Sequence, residues 1–425
     1  MKLNFMARLF GFLLVGGFLS IIILNLVPPR TQVQEPIPHF AAVSDPAFLR
    51  TMHSVFEGDV QPGHSIRTLV NGDEIFPPML SAIREAQVSV NFVTYIYWSS
   101  EIAREFATAL AEKARDGVPV RVLVDFVGAI PFDEDTIKIM TDANVNFERF
   151  RPIHWYTLDR INYRTHRKLL IVDGKIGFTG GVGIGDQWLG DARNPEEWRD
   201  NHYRVEGPVV ADMQAAFAEN WIEATGEVLQ GDQFYPEAEE AGDLRVQHVK
   251  SSPNGGAKSM HQMLMMAMAG ATENIRIAMA YFVPDDVAIA QLLQARERGV
   301  EIDIIVPGKQ TDMPIVRHGS RHFWGELLEA GIRLHEYQPT MYHPKVLIVD
   351  EWWTTIGSTN FDERSFRLND ESNLNVYDGV FAKTQIDLFE ADLSLSRQVT
   401  LEEWQNRPVW EKTKDWVWSW LRTQL

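Results

Sequence analysis

The chain has 425 residues, 45% of them hydrophobic, enough to bury two cores of ordinary domain size. It contains no Cys, which excludes a disulfide framework and a thiol nucleophile while leaving the compartment open. A formal net charge of −18 offers no general attraction for DNA or RNA, so no nucleic-acid partner is expected, although RDGVPVR and RHGSRH are local basic patches.

Taken in chain order, the first element is a run of 19 residues without a charge, Leu9 to Val27, long enough to span a bilayer as a helix. Lys2 and Arg8 precede it, and Pro28, Pro29 and Arg30 stop it. It exceeds a usual signal-peptide core and no small-residue cleavage site follows, so residues 1–30 read as a retained anchor with a cytoplasmic amino terminus and the remaining chain on the outer side. Residues 31–48, with three Pro and no periodicity, read as a linker.

A repeat then covers most of the chain. VSVNFVTYIYWSSEIAREFATALAEKARDGVPVRVLVD, from Val88, parallels IRIAMAYFVPDDVAIAQLLQARERGVEIDIIVP, from Ile275, as strand, helix, Gly and strand. ANVNFERFRP, ending at Pro152, parallels AGIRLHEYQP, ending at Pro339. Val, Ile and Leu strands alternating with amphipathic helices predict an α/β architecture: two repeated halves, 49–246 and 247–405, each a largely parallel mixed sheet flanked by helices, packed about a pseudo-twofold axis.

The first half next carries HRKLLIVDGKIGFTGG, His166 to Gly181. Alternate side chains of a strand share a face, so His166 and Lys168 point the same way. Imidazole is a nucleophile or proton carrier near neutral pH, and the ammonium of Lys suits phosphate oxygens while repelling a metal ion. Neither metal nor cofactor is therefore expected. GGVGIGD, which follows, has the wrong spacing for a dinucleotide-binding turn. MHQMLMMAMAG, from Met260, reads as a core helix, with an adaptable lipid groove as the other reading. His318 and His322 have a helical metal-ligand spacing, but no Glu lies between them and no third ligand is evident.

The second half repeats the motif as HPKVLIVDEWWTTIGSTN, His343 to Asn360, with His343 and Lys345 on one strand face. Repetition allows a division of labour in which one His attacks phosphorus, the other protonates the leaving oxygen, and the two Lys stabilise non-bridging oxygens. Asp173 and Asp350, at the strand ends, either join that chemistry or fix their turns through backbone hydrogen bonds. The two His lie 177 positions apart (343 − 166), so only folding of both halves assembles a site. The tail, 406–425, holds Trp410, Trp416, Trp418 and Trp420 and reads either as an amphipathic helix in a membrane interface or as a cap with buried indoles.

With both motifs in view, the chain resembles the phospholipase D superfamily, and within it the bacterial cardiolipin synthases. The second copy matches in full through Ser358 and Asn360 and continues as FDERSFRLNDESNL. The first is flanked by NYRTHRKLL and GGVGIGDQWLG, similar to the synthase branch, but has Gly181 and Gly183 where the superfamily has Ser and Asn. The resemblance implies that both motifs meet between the halves, with His166, Lys168, Asp173, His343, Lys345 and Asp350 as catalytic residues. Gly181, Gly183, Ser358 and Asn360 are implied to hold the substrate phosphate, with either backbone amides or the second half serving it at the two Gly. It further implies that Asp200 in WRDNHYRV, falling where Glu371 falls in NDESNLNV, supports the site with Glu371 by orienting a His. His166 is the implied nucleophile and His343 the acid–base, the near symmetry leaving the reverse open. The implied reaction transfers a phosphatidyl group between two phosphatidylglycerol molecules with release of glycerol, at the bacterial cell membrane. A hydrolytic phospholipase D giving phosphatidic acid is the alternative, ahead of a nuclease or an inactive lipid-binding protein.

Overall fold

The computed structural model describes residues 33–253 and 259–425, with a few scattered positions before them. The predicted anchor, Leu9–Val27, falls largely outside the described residues, and among those described no helix is long and apolar enough to cross a membrane. The first half holds strands β1 (Gln61–Val70), β2 (Val90–Thr94), β3 (Val120–Asp125), β4 (Asn146–Phe150), β5 (Arg164–Thr165), β6 (Leu169–Val172), β7 (Ile176–Gly180) and β8 (Asn201–Glu206). The second holds β9 (Leu244–Ser251), β10 (Asn274–Met279), β11 (Phe282–Val283), β12 (Glu301–Pro307), β13 (Arg333–Tyr337), β14 (Lys345–Val349), β15 (Trp353–Gly357), β16 (Phe361–Asp362), β17 (Asn369–Tyr377) and β18 (Ser396–Val399).

Helices α1 (Pro46–Val55), α2 (Asn71–Glu85), α3 (Glu101–Arg115), α4 (Glu134–Thr141) and α5 (Val209–Thr225) precede β9. After it come α6 (Ser259–Ala269), α7 (Asp286–Glu297), α8 (Pro314–Arg321), α9 (Trp324–Glu329), α10 (Glu363–Arg367), α11 (Gly379–Ser394), α12 (Leu401–Gln405) and α13 (Val409–Ser419). The repeat is visible in how α3 and α7 begin. Ser100 accepts the amide of Ala103 and Asp285 that of Ala288, each a helix N-cap. Both helices end before a Gly with positive φ, Gly117 and Gly299, where other residues would be strained.

The two halves share one sheet. From one edge it runs β18-β13-β12-β10-β14-β15-β17-β9-β1-β8-β7-β6-β2-β3-β4, with β5 added beside β17. Past β18 the order from β13 to β9 is repeated in reverse from β1 to β4, and β9 pairs antiparallel with β1 at the join. That arrangement is the signature of a pseudo-twofold axis.

The expectation of largely parallel sheets is corrected here. Parallel ladders occur within β2-β3-β4 and β10-β12-β13, where α3, α4, α7, α8 and α9 supply the crossovers, and in the short β5–β17 and β11–β16 pairs. The remaining strand pairs among the described residues are antiparallel, and in β6–β7 and β14–β15 a tight turn after the His-x-Lys motif returns the chain beside itself. The aliphatic runs that suggested parallel pairing reflect burial on both faces: β6 and β14 are buried at every residue.

Three apolar cores fill the molecule. One is built mainly on the second half, one mainly on the first, and the third draws from both, including Val93, Leu169, Phe217, Val246, Ile348 and Phe389. The stretch read as a linker is partly fixed: Ala41, Val43 and Phe48 enter the second-half core, and the Ile37 amide donates to Gln291 at 2.7 Å. The Met-rich helix α6 is buried along its length, so it offers no groove.

Candidate active site

The sheet order leaves the segments just before the two His free to cross between halves. Strand β5 lies parallel to β17, pairing Thr165 with Asp370, and Arg199 forms the equivalent parallel bridge with Tyr342. The His166 amide therefore donates to Asp370 at 2.9 Å and the His343 amide to Arg199 at 2.8 Å. Each motif starts inside the other half.

The side chains follow the backbone across. His166 Nδ1 bonds the Glu371 carboxylate at 3.0 and 3.1 Å, and His343 Nδ1 bonds Asp200 at 2.6 Å. A carboxylate accepts only, so each imidazole donates its Nδ1–H and turns Nε2 away from its partner. Lys168 and Lys345 donate to the carbonyls of His166 and His343 at 2.9 and 2.8 Å, and Lys345 Nζ also lies 3.2 Å from both ring nitrogens of His343. Tyr95 stands edge-on to His166, while Trp188, Trp198 and Tyr281 surround His343.

All six groups are buried, and burial governs their protonation. Desolvation lowers both imidazoles to about 4, against the upward pull of Glu371 on His166; for His343, Lys345 adds to the lowering and Asp200 opposes it. Desolvation also lowers Lys168 to about 7, with repulsion from Lys345 next, and lowers Lys345 to about 8. For Asp200 and Glu371 burial pushes upward, but the partner His and the Lys outweigh it and hold both below the usual carboxylate range. The site thus holds two neutral imidazoles whose Nε2 atoms point away from the carboxylates, that of His343 3.2 Å from Lys345 Nζ, beside two easily deprotonated amines.

Ser358 and Gly181 occupy matching positions and explain the departure from the superfamily pattern. Ser358 Oγ donates to Glu371 and accepts the Ser372 amide, and Ser365 Oγ donates to Glu371 at 2.8 Å. At Gly181 a Cβ would lie 2.3 Å from the Asp200 carboxylate, so no side chain fits. The missing hydroxyl is replaced by an indole: Trp188 Nε1 donates to Asp200 at 3.0 Å. The same ring closes the space at Gly183, whose Cβ would meet Trp188 at 3.1 Å and Ile96 at 2.8 Å. Asn360 Oδ1 is buried without a hydrogen-bond partner among the described residues and remains a candidate to meet a ligand hydroxyl.

Asp173 and Asp350, expected among the catalytic residues, stand apart from them. Five residues separate Lys168 from Asp173, about 16 Å of extended strand. Asp173 accepts the amides of Gln87, Val88 and Ser89, and Asp350 those of Thr272, Glu273 and Asn274. Both have left-handed φ, 55° and 51°, in the turns that reverse β6 and β14. They fix turns. Asp173→Ala or Asp350→Ala is expected to cost about 2 kcal/mol in chemical denaturation, from lost charged hydrogen bonds and the unfavourable φ, with turnover per folded molecule unchanged. A folded variant without turnover would return the carboxylate to the chemistry.

Sequence reasoning placed Ser365 in the matching stretch FDERSFRLNDESNL without a role, and missed Trp188, Tyr95 and the buried Arg167, which donates to Glu371, Ala216 and Ser251 carbonyls and ties the halves together. GDQWLG held the only signal for Trp188, and nothing in it indicates a hydrogen bond to Asp200. His318 donates to Asp415 at 2.7 Å, and among the described residues no His, Cys, Asp and Glu group could hold a metal ion.

Comparison with known proteins matches the family described as cardiolipin synthase, PLD-like domain, to residues 79–221 and 264–393, one segment in each half. The chain is 35% identical over 355 residues to cardiolipin synthase 1 of Bacillus cereus, covering 81% of this chain and 69% of that protein. It is 33% identical over 370 residues to the major cardiolipin synthase of Bacillus subtilis (86% and 75% covered), and 34% over 358 to cardiolipin synthase A of Pseudomonas fluorescens (84% and 74%). Among solved structures, the phosphatidylserine synthase of Haemophilus influenzae superposes with a TM-score of 0.67 at 16% identity, covering 85% of this chain and 95% of that one, a likeness of fold.

Proposed function

This chain belongs to the cardiolipin synthase, PLD-like domain family, and from that premise we propose that it transfers a phosphatidyl group from one phosphatidylglycerol to another, releasing glycerol. The observation that carries the mechanism is the pair of crossed His–carboxylate contacts, each with a Lys beside it. His166 Nε2 attacks phosphorus, a P–N bond forms and the P–O bond to glycerol breaks. His343, protonated once the anionic phosphodiester is bound, gives its Nε2 proton to the departing oxygen. A hydroxyl of the second phosphatidylglycerol then returns a proton to His343 and attacks the phosphohistidine, giving cardiolipin and free His166. Lys168 and Lys345 stabilise the non-bridging oxygens, Asn360 and the Gly183 amide complete the phosphate site while the Gly181 amide is held by the Asn201 carbonyl at 3.1 Å, and Glu371 and Asp200 position the imidazoles. The protein works at the bacterial cell membrane, held by Leu9–Val27, with its catalytic body extracytoplasmic; the uncharged run behind Lys2 and Arg8 supports this.

The test is to incubate purified protein with labelled phosphatidylglycerol in chelator and identify the lipid products by mass. Cardiolipin with stoichiometric glycerol is expected; phosphatidic acid alone would make water the acceptor and the protein a hydrolase.

The lowered Lys values give the pH dependence its sign. In the free enzyme Lys168 loses its proton as pH rises through about 7 and Lys345 through about 8, so the fall in kcat/KM that deprotonation of His343 begins above about 4 is expected to steepen above pH 7. Bound phosphate favours the ammonium, so the fall in kcat should lie at higher pH. Lys168→Arg, which keeps its charge, should move the steeper kcat/KM limb upward, whereas a wild-type profile that does not steepen through pH 9 would remove the Lys from phosphate binding.

A further inference from the structure

We propose that the outward face of α13 docks on a bilayer containing anionic phospholipid, beside the active site; this rests on the lipid-substrate reading above. The inner face of α13 packs on α8 through charge. His318 donates to the buried Asp415, Arg407 pairs with the same carboxylate, and Arg321 meets Glu411 at 3.0 Å. These are the only two acids of the helix, and both are turned inward and paired. Facing out are Trp410, Trp416, Val417 and Trp420, which are 58%, 48%, 41% and 67% exposed, together with Lys412 and Lys414.

This face runs against the rest of the chain in two ways. The molecule buries Trp188, Trp221, Trp324 and Trp353 almost completely, yet gathers three of its five exposed indoles on this one face, two of them packed on each other at 4.6 Å. A contiguous exposed apolar patch marks an interaction surface. The chain carries a net charge of −18, yet the two charges of α13 that have no acidic partner among the described residues, Lys412 and Lys414, are both positive, Lys414 lying over the Trp410 ring at 4.8 Å, and match an anionic surface. Indoles suit the headgroup region, and lysines beside them add attraction to anionic lipid.

The helix also leads to the site. Gln424 accepts from Asn162 at 2.9 Å, and the Arg364 amide donates to the Leu425 carbonyl at 3.2 Å. Arg364 lies in α10, between Asn360 and Glu371. A bilayer engaged by α13 therefore adjoins the segment that carries one side of the site.

The absence of Cys permits a single-label test on the full chain. Thr413→Cys, on the outward stripe, and Val380→Cys, 79% exposed on α11 before substitution, would each carry one fluorophore. Both are reconstituted into phosphatidylcholine vesicles with spin-labelled lipid, with and without phosphatidylglycerol. Strong lipid quenching is expected at 413, not at 380, dependent on phosphatidylglycerol and lost in Lys412→Glu/Lys414→Glu. Quenching at 413 no greater than at 380 overturns the proposal, as does equal quenching in neutral vesicles. A label at 413 already shielded from aqueous quencher before lipid is added would put a second copy of the chain on this face and overturn it too. The signal needs no turnover, so a protein that makes no cardiolipin could still show it, and the two readings fail separately.

Discussion

His166→Ala and His343→Ala are each expected to lower phosphatidyl transfer by about 10⁴-fold or more, and the double variant is expected to be no worse than either alone. In the proposed scheme the two imidazoles act in one sequence of bond changes, so removing one disables the step that the other serves. Each substitution also leaves a buried carboxylate, Glu371 or Asp200, without its ring partner, so folding must be checked by circular dichroism; His→Gln returns a polar group if Ala does not fold. Roles separate on the covalent intermediate. Labelled phosphatidylglycerol quenched during turnover should leave protein-bound phosphate that survives base and is lost in acid. It should be absent from His166→Ala. Label retained by His166→Ala and missing from His343→Ala would exchange the two roles, and wild-type turnover in either variant would end the two-His scheme.

How far the sequence reached is clearest residue by residue. Alternation along an extended strand put imidazole and ammonium on one face, and in the structure each Lys reaches back to the carbonyl of its His. The halves were legible because a repeat of strand, helix, Gly and strand preserves its punctuation. Pairing direction was not legible in the aliphatic runs. Burial on both faces selects Val, Ile and Leu whether the neighbour is parallel or antiparallel, and here the turns at Asp173 and Asp350 decide. Those two Asp were ambiguous for a similar reason: their amide partners lie on segments 84 to 86 and 76 to 78 residues earlier. Crossing was equally hidden, since His166 meets Glu371 across 205 positions and His343 meets Asp200 across 143. Gly181 and Gly183 looked like lost donors because an indole arriving from Trp188 is a property of the folded loop.

The crossing leads to the second large effect. Asp200→Asn and Glu371→Gln keep side-chain shape but cannot stabilise an imidazolium or fix the Nδ1–H tautomer, and each is expected to cost about 10³ to 10⁴-fold in kcat. The variants should differ in which step they slow. Asp200 touches His343, the proposed acid, so Asp200→Asn should behave like His343→Ala; Glu371 touches His166, so Glu371→Gln should behave like His166→Ala. A phosphatidyl donor with a p-nitrophenol leaving group separates them, because that oxygen departs without a proton. Asp200→Asn and His343→Ala should then release a burst of p-nitrophenol at close to the wild-type rate, while Glu371→Gln and His166→Ala should release none. A merely structural role for the carboxylates would not sort the four variants by leaving group. The reverse sorting within the carboxylates, Glu371→Gln grouping with His343→Ala, would mean that each acid serves the imidazole of its own half during turnover. The contacts at 2.6 and 3.0 Å argue against it, since a carboxylate held that close to one Nδ1 would have to abandon a buried charged hydrogen bond to serve another.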